Sequence, residues 1–271
     1  MRTLEFDDAT LDLLDRIAAV AGTLWERGWA ERNAGNISLR LLASFSSRKS
    51  DRAGSPLHPL EKPLPNIGGC HFLVSGAGTR MRELGKKALK RVCLVRISDH
   101  GSSYRVVRGR FEDGYQPTSE FPSHLLVHNY LKGTGRDEII ILHTHPTELI
   151  ALTHIPEYNS EEKLNQLLWS MHPEVKVVIP EGAGLVPYVL PGSTELARAT
   201  VASLEERRIV LWSKHGCLAV APDPETALDL IDTLNKSARI FLACRAAGFE
   251  PEGLSREQLA ELERKFPRLE L

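Results

Sequence analysis

DEIIILHTHPTELIALTH, residues 137–154, is the stretch on which the fold turns. Ile139 to Leu142 form a short, continuous apolar run, the pattern of a deeply buried strand. His143 and His145 flank Thr144 at its end. Side chains alternate along a strand, so residues two apart share a face at roughly 7 Å. Two imidazoles placed in this way can converge on one ion, and zinc accepts imidazole readily. The alternative is two ordinary polar residues where a strand leaves the core. PTELIALTH, which follows, reads as a helix, so the strand passes almost directly into one.

Outward from this stretch, strands and helices mix. Upstream, PTSEFPSHLLVHNYLKG (117–133) opens on a cap signal and becomes a helix. Thr118 or Ser119 is the expected cap, which puts Glu120 in the first turn. Downstream, IVLWSKHGCLAVA (209–221) reads as two strands around His215 and Gly216, and His215 is the third candidate ligand. A catalytic zinc wants three protein ligands and an open position. Gly216 allows a sharp turn or a close approach of ligand to backbone.

The remaining elements follow from the same periodicities. Residues 10–29 place Leu11, Leu14, Ile17, Ala18, Ala21 and Leu24 at helical spacing, with Thr10 or Asp8 as cap. A strand starts near Asn36. Residues 44–69, rich in Ser, Pro and Gly, read as a long surface loop. CHFLVSG (70–76), RVCLVRIS (91–98), SYRVVRG (103–109), VKVVIP (175–180) and GLVPYVL (184–190) read as strands. SEEKLNQLLWSM (160–171), STELARATVASLEERR (193–208), DPETALDLIDTLNKSARIFLACRAAG (223–248) and SREQLAELERKF (255–266) read as helices, with Ser193, Asp223 and Ser255 at their starts. There is no repeat and no clear linker. The expectation is one domain over residues 1–271, of α/β class, with a single mixed, largely antiparallel sheet and helices on both faces.

Composition narrows the function. The net charge of -1 offers no basic field for nucleic acid, so an anionic substrate must be met by local donors. Cys70, Cys93, Cys217 and Cys244 have no paired C-x-x-C spacing, which argues against a disulfide scaffold or a zinc ribbon. No apolar run approaches a membrane span and the first residues carry no signal-like segment, so a cytoplasmic protein with no membrane partner is expected.

Two turns offer anion donors. Asn33-Ala34-Gly35-Asn36 supplies amides at a tight turn, and Ser75-Gly76-Ala77-Gly78-Thr79 supplies backbone donors after a strand. The latter is not a Walker A loop, since no Gly-Lys-Ser/Thr follows. The start of the 117–133 helix adds N–H groups and the Thr118 and Ser119 hydroxyls. Glu120 is either a dipole-complementing glutamate or a general base beside a cationic site. Glu120, His124 and His128 share one helix face by their i, i+4 spacing, either as a second metal site or, more simply, as a hydrogen-bonded face.

WERGWAERNAGN (25–36), QPTSEFPSH (116–124), HTHPTELIALTH (143–154), LLWSMHPE (167–174), PEGAGLVPYVLPG (180–192), and KHG (214–216) with DTLNKSA (232–238) run in order across almost the whole chain. Together they resemble the class II aldolase family. The resemblance implies His143, His145 and His215 as ligands of one zinc ion per subunit and Glu120 as the acid/base. It implies Glu174 as a second glutamate reaching the site, and Asn33, Asn36, Gly76, Thr118 and Ser119 at phosphate-binding positions. Ala77 stands where the family often has serine, so the anion site is expected to lean on backbone donors, Ser75, Thr79 or Arg80.

The resemblance further implies cleavage of L-rhamnulose 1-phosphate to dihydroxyacetone phosphate and L-lactaldehyde through a zinc-stabilised enediolate, in a homotetramer. Within the same family, a fuculose-phosphate aldolase, an epimerase and a catalytically inactive adducin-like interaction module are the alternatives. The helical patterns oppose a cupin, despite His143, His145 and Glu148, and Thr147 replaces the aspartate of H-x-H-x-D-H zinc hydrolases.

Overall fold

The computed structural model describes residues 6–41, 56–108 and 116–267. Among these residues nine strands build one sheet: β1 (Asn36–Arg40), β2 (His58–Pro59), β3 (His71–Ser75), β4 (Val92–Ile97), β5 (Ser103–Arg108), β6 (Ile140–Thr144), β7 (Gly184–Val186), β8 (Ile209–Trp212) and β9 (Gly216–Ala221). The helices are α1 (Asp8–Glu26), α2 (Met81–Leu84), α3 (Phe121–Gly133), α4 (Thr147–Leu152), α5 (Glu161–Met171), α6 (Pro173–Val178), α7 (Thr194–Leu204), α8 (Pro224–Ala246) and α9 (Arg256–Lys265).

The strand order is β2-β5-β4-β3-β1-β6-β9-β8-β7. Only β7 and β8 pair in parallel; every other pairing is antiparallel. The apolar run expected to be a buried strand is β6, held between β1 and β9. Its alternation serves two cores. Ile140 and Leu142 join Leu14, Ile17, Leu230 and Leu234 of α1 and α8 on one face. Ile141 joins Val127, Leu131, Leu196 and Leu204 of α3 and α7 on the other. His143 continues the Ile141 face, as a period of two requires.

Strand β1 is buried along its whole length although three of its five residues are polar. Ile37 and Leu39 enter the α1/α8 core. Asn36, Ser38 and Arg40 therefore lie on the α3 face, where buried polar groups need partners to be tolerated. That face of α3 carries His124 and His128, both fully buried.

The structure corrects several local readings. Asp7, not Thr10 or Asp8, caps α1, its carboxylate accepting from the Thr10 N–H at 2.8 Å. VKVVIP is not a strand. It lies mostly in α6, because His172 is extended and accepts from the Glu174 N–H while Pro173 starts a helix. GLVPYVL pairs only over β7. Residues 44–55 of the expected 44–69 loop, and Gly109 of SYRVVRG, lie outside the described residues; the rest of the loop holds β2 and a 3-10 turn at Pro65–Ile67. Ser193, Asp223 and Ser255 cap α7, α8 and α9 as expected. Among the described residues no helix is long and apolar enough to cross a membrane.

Candidate metal centre

His143 sits on the last turn of pleat in β6, opposite Asn36 on β1 and Leu218 on β9. His145 lies just past the strand, where its N–H and the Thr144 hydroxyl both donate to the Trp29 carbonyl at 2.9 and 2.7 Å. The WERGW segment thereby fixes the point at which the chain leaves the sheet. His215 occupies the β8–β9 turn, with its N–H on the Trp212 carbonyl. Lys214, just before it, has φ 63°, a left-handed conformation uncommon outside glycine.

Gly216 makes the close packing possible. A Cβ there would lie 2.5 Å from the Thr144 carbonyl oxygen, 2.8 Å from His145 Cδ2 and 3.2 Å from His143 Cε1. The two elements that bring the histidines together can approach only over a residue with no side chain.

The three rings then converge. One nitrogen from each of His143, His145 and His215 lies within 4.8 Å of the others. Their outward nitrogens set the tautomers. His143 Nδ1 is 2.8 Å from the Cys217 carbonyl oxygen, which can only accept, so Nδ1 carries the proton. His145 Nδ1 donates in the same way to Glu31 Oε1 at 2.8 Å. Both Nε2 atoms therefore face inward, 3.2 Å apart. The Nδ1 of His215 is buried with no partner among the described residues.

The three inward nitrogens are placed to share one cation. A proton is a poor candidate at His143. Burial, then the neighbouring His145 and His215, hold its pKa well below the usual histidine value. His215 is lowered as well, first by burial and then by His145. Imidazoles oriented by a carbonyl and a carboxylate are the donor set a divalent ion such as zinc takes. The residues present fit the metal.

Glu120 stands beside this cluster. Its Oε2 is 3.7 Å from His143 Nε2, too far for a hydrogen bond, and accepts from Asn36 Nδ2 at 2.6 Å. Neither Thr118 nor Ser119 caps α3. Glu120 itself occupies the cap position without a side-chain cap bond, because the Phe121 N–H closes a turn on the Thr118 carbonyl and Pro122 follows. Its carboxylate is thus released toward the histidines instead of folding back on the helix.

The expected anion donors divide. Asn33 and Ser119 are exposed and Thr118 is half-buried beside Glu120. Asn36 is committed on one side to Glu120 and on the other to His124. The Ser75 hydroxyl is buried and accepts from the Ile37 N–H. In the glycine turn, the N–H groups of Gly76, Ala77 and Thr79 go to the carbonyls of Arg91, Gln116 and Gly76. These internal bonds explain how the turn tolerates alanine at position 77: the turn is held by backbone pairing. They also withdraw most of the backbone donors that the sequence had offered. Glu174 is exposed at the start of α6, its carboxylate 2.5 Å from His172 Nδ1, with no described bond to the histidine cluster.

Residues that the sequence did not single out complete the centre. Glu31 orients His145, and its only sequence signal is an acidic residue in the turn that precedes β1. Trp212 lies against both His143 and His215, with ring centroids 4.5 and 5.2 Å away, and donates its Nε1–H to Thr200. Ser38 bonds both helix histidines, as described below.

Residues 15–242 match the family described as Class II Aldolase and Adducin N-terminal domain, and the chain belongs to that family. A rhamnulose-1-phosphate aldolase from Bacteroides thetaiotaomicron is 41% identical over 265 residues, 97% of each chain. One from Pectobacterium atrosepticum is 35% identical over 247 residues, 90% of this chain and 89% of its own. Among solved structures, a sugar-phosphate aldolase from Thermotoga maritima has a TM-score of 0.77 at 32% identity, covering 90% of this chain and 99% of that one. An L-fuculose 1-phosphate aldolase, at 20% identity and a TM-score of 0.60 over 94% of this chain and 96% of its own, shares the fold. The chain is accordingly a lyase of the class II aldolase type, in a metal-dependent family.

Proposed function

We propose that this chain is a zinc-dependent aldolase that reversibly cleaves L-rhamnulose 1-phosphate to dihydroxyacetone phosphate and L-lactaldehyde. The observation that carries the reading is the convergence of three neutral-side histidine nitrogens with a carboxylate 3.7 Å away. The substrate rests on similarity to proteins named for that activity over nearly the whole chain.

His143, His145 and His215 would hold the metal. When bound, it supplies Lewis-acid stabilisation of the negative charge that develops as the C3–C4 bond breaks. Glu120 handles the proton. In condensation its carboxylate takes a proton from the carbon beside the carbonyl and the new C4 oxyanion takes one up. In cleavage the C4 hydroxyl gives up its proton as the aldehyde forms and Glu120 returns one to the carbon beside the carbonyl, so the count of protons is unchanged. Asn36 holds Oε2 by donation, which restricts the carboxylate to one orientation. Asn33, Thr118 and Ser119 lie on the segments next to Asn36 and Glu120 and are the phosphate contacts of this reading, with Gly76 and Ser75 supporting the turn behind them. Glu174 is assigned to the aldehyde side by resemblance alone. The same resemblance carries a homotetramer acting in the cytoplasm as part of rhamnose breakdown.

The test is release of dihydroxyacetone phosphate from L-rhamnulose 1-phosphate, with L-fuculose 1-phosphate as comparison, before and after chelation. Turnover of the rhamnulose compound that is lost on chelation and restored by zinc is expected. Preference for the fuculose compound sinks the substrate assignment. No turnover of either compound, with no bound metal, favours the adducin-like module.

A further inference from the structure

Behind Glu120 lies a buried polar chain that the reaction as written leaves unused. Asn36 Oδ1 is 2.6 Å from His124 Nε2, His124 Nδ1 is 2.8 Å from Ser38 Oγ, and Ser38 Oγ is 2.9 Å from His128 Nε2. His124, His128 and Ser38 are fully buried. The arrangement is a zipper: Glu120, His124 and His128 recur every four residues on α3, and Asn36 and Ser38 every two on β1. Four residues rise about 6 Å along a helix and two rise about 7 Å along a strand, so the two rows interdigitate.

The sense of every bond in the zipper is determined. A carboxylate only accepts, so the Asn36 amide nitrogen faces Glu120 and its oxygen faces His124. His124 must then donate from Nε2, which leaves its Nδ1 bare to accept from the Ser38 hydroxyl. With that hydrogen used, Ser38 can only accept from His128 Nε2–H. The remaining nitrogen, His128 Nδ1, is then a bare acceptor, and it is indeed buried with no partner among the described residues. All donors point one way, toward the carboxylate.

We propose that Ser38 and His124 are positioning residues, which together with His128 and Asn36 form a one-way hydrogen-bond chain that ends on Glu120 and fixes the carboxylate for proton transfer. The proposal rests on Glu120 being the acid/base. Burial supports the required neutral rings: it pushes His124 down to about 4 and His128 well below the usual histidine value. A chain of aligned donors strengthens the terminal bond to the anion and resists its rotation. The histidine pair on α3 is thus a support for the carboxylate and not a second metal site.

The zinc-loaded enzyme tests this through Ser38→Ala, His124→Phe and His124→Gln, each also combined with Glu120→Gln. Outer partners of this kind typically affect activity by about 10- to 100-fold. A fall of that order in kcat is expected for Ser38→Ala, with KM, zinc content and thermal midpoint nearly unchanged and little further loss on the Glu120→Gln background. Glutamine at position 124, which can donate to Asn36 and accept from Ser38, is expected to recover part of what phenylalanine loses.

NMR of 15N-labelled histidine gives a readout free of turnover: His124 and His128 are expected in the neutral Nε2–H form. Full kcat in Ser38→Ala, an equal loss with and without Glu120, or an Nδ1–H tautomer at His124 overturns the proposal. His128→Phe, at the far end of the zipper, supplies the same comparison if the Ser38 variant does not fold. Full activity in Glu120→Gln alone fails the underlying reading and not the relay, so the two failures are separate.

Discussion

Nε2 of His143 and Nε2 of His145 face each other at 3.2 Å, while Nδ1 of each ring is held by an acceptor behind it, the Cys217 carbonyl and the Glu31 carboxylate. A metal ion is the cation that could take both inward nitrogens at once. His143→Ala removes the most deeply buried of the three nitrogens, and we expect bound zinc and aldol cleavage to disappear together. Metal analysis of the purified variant alongside the assay checks this; zinc retained at full stoichiometry would show that the ion sits elsewhere.

Glu31 reaches the same centre from outside. Its carboxylate accepts from His145 Nδ1–H at 2.8 Å although the side chain is two-thirds exposed. Loss of such an outer partner typically weakens metal binding about 10- to 100-fold. Glu31→Ala is expected to fall in that range, and Glu31→Gln, which keeps an acceptor oxygen, to lose less. Zinc titration against a competing chelator measures both, and equal affinities for all three proteins would remove Glu31 from the centre.

Gly216→Ala tests the packing. The new methyl carbon meets the Thr144 carbonyl at 2.5 Å and the His145 ring at 2.8 Å. One of these groups is backbone and the other a ligand, so neither can yield without moving the site. Overpacking of this kind costs about 1–3 kcal/mol. A lower thermal midpoint together with weaker zinc binding is expected. A variant that unfolds and binds metal like the parent would mean that the turn has more room than this geometry allows.

Much of this was legible in the sequence, and the reasons are physical. Ile139 to Leu142 could hardly be anything but a buried strand, so the position of His143 and His145 at its end followed from alternation alone. His215 and Gly216 were legible as a turn between two apolar runs, and the helix caps at Ser193, Asp223 and Ser255 as short polar side chains before helical periodicity. Val175, Val177 and Val178 misled because β-branched residues favour strands; the packing of α6 against α5, α8 and α9, with Pro173 at the helix start, overrides that preference. The pairing of the glycine turn was not legible either: the N–H groups of Gly76 and Ala77 look free in the sequence but bond across the fold to Arg91 and Gln116. Ser38 could not be read at all. A serine in a strand is unremarkable until β1 is laid against α3, whose His124 lies 86 residues later.

That same contact makes the fold sensitive to acid. His124 is held neutral mainly by burial, opposed by Glu120 and assisted by His143, and titrates near 4 in place of 6.5. His128 shifts in the same direction, by burial, His124 and Arg40. Between about pH 4 and 6.5 the unfolded chain therefore binds more protons than the folded one, so stability rises with pH through this window and is lost on acidification. For His124 alone the loss from neutral pH to pH 5 is about 2 kcal/mol, given 1.36 kcal/mol per pKa unit. The thermal midpoint of the wild-type chain should fall steeply between pH 7 and 5. His124→Phe, which leaves nothing to protonate at that position, should fall less steeply whatever its midpoint at pH 7. Parallel slopes for the two proteins would show that folding leaves the pKa of His124 where it is in the unfolded chain, so that burial is not what keeps the ring neutral.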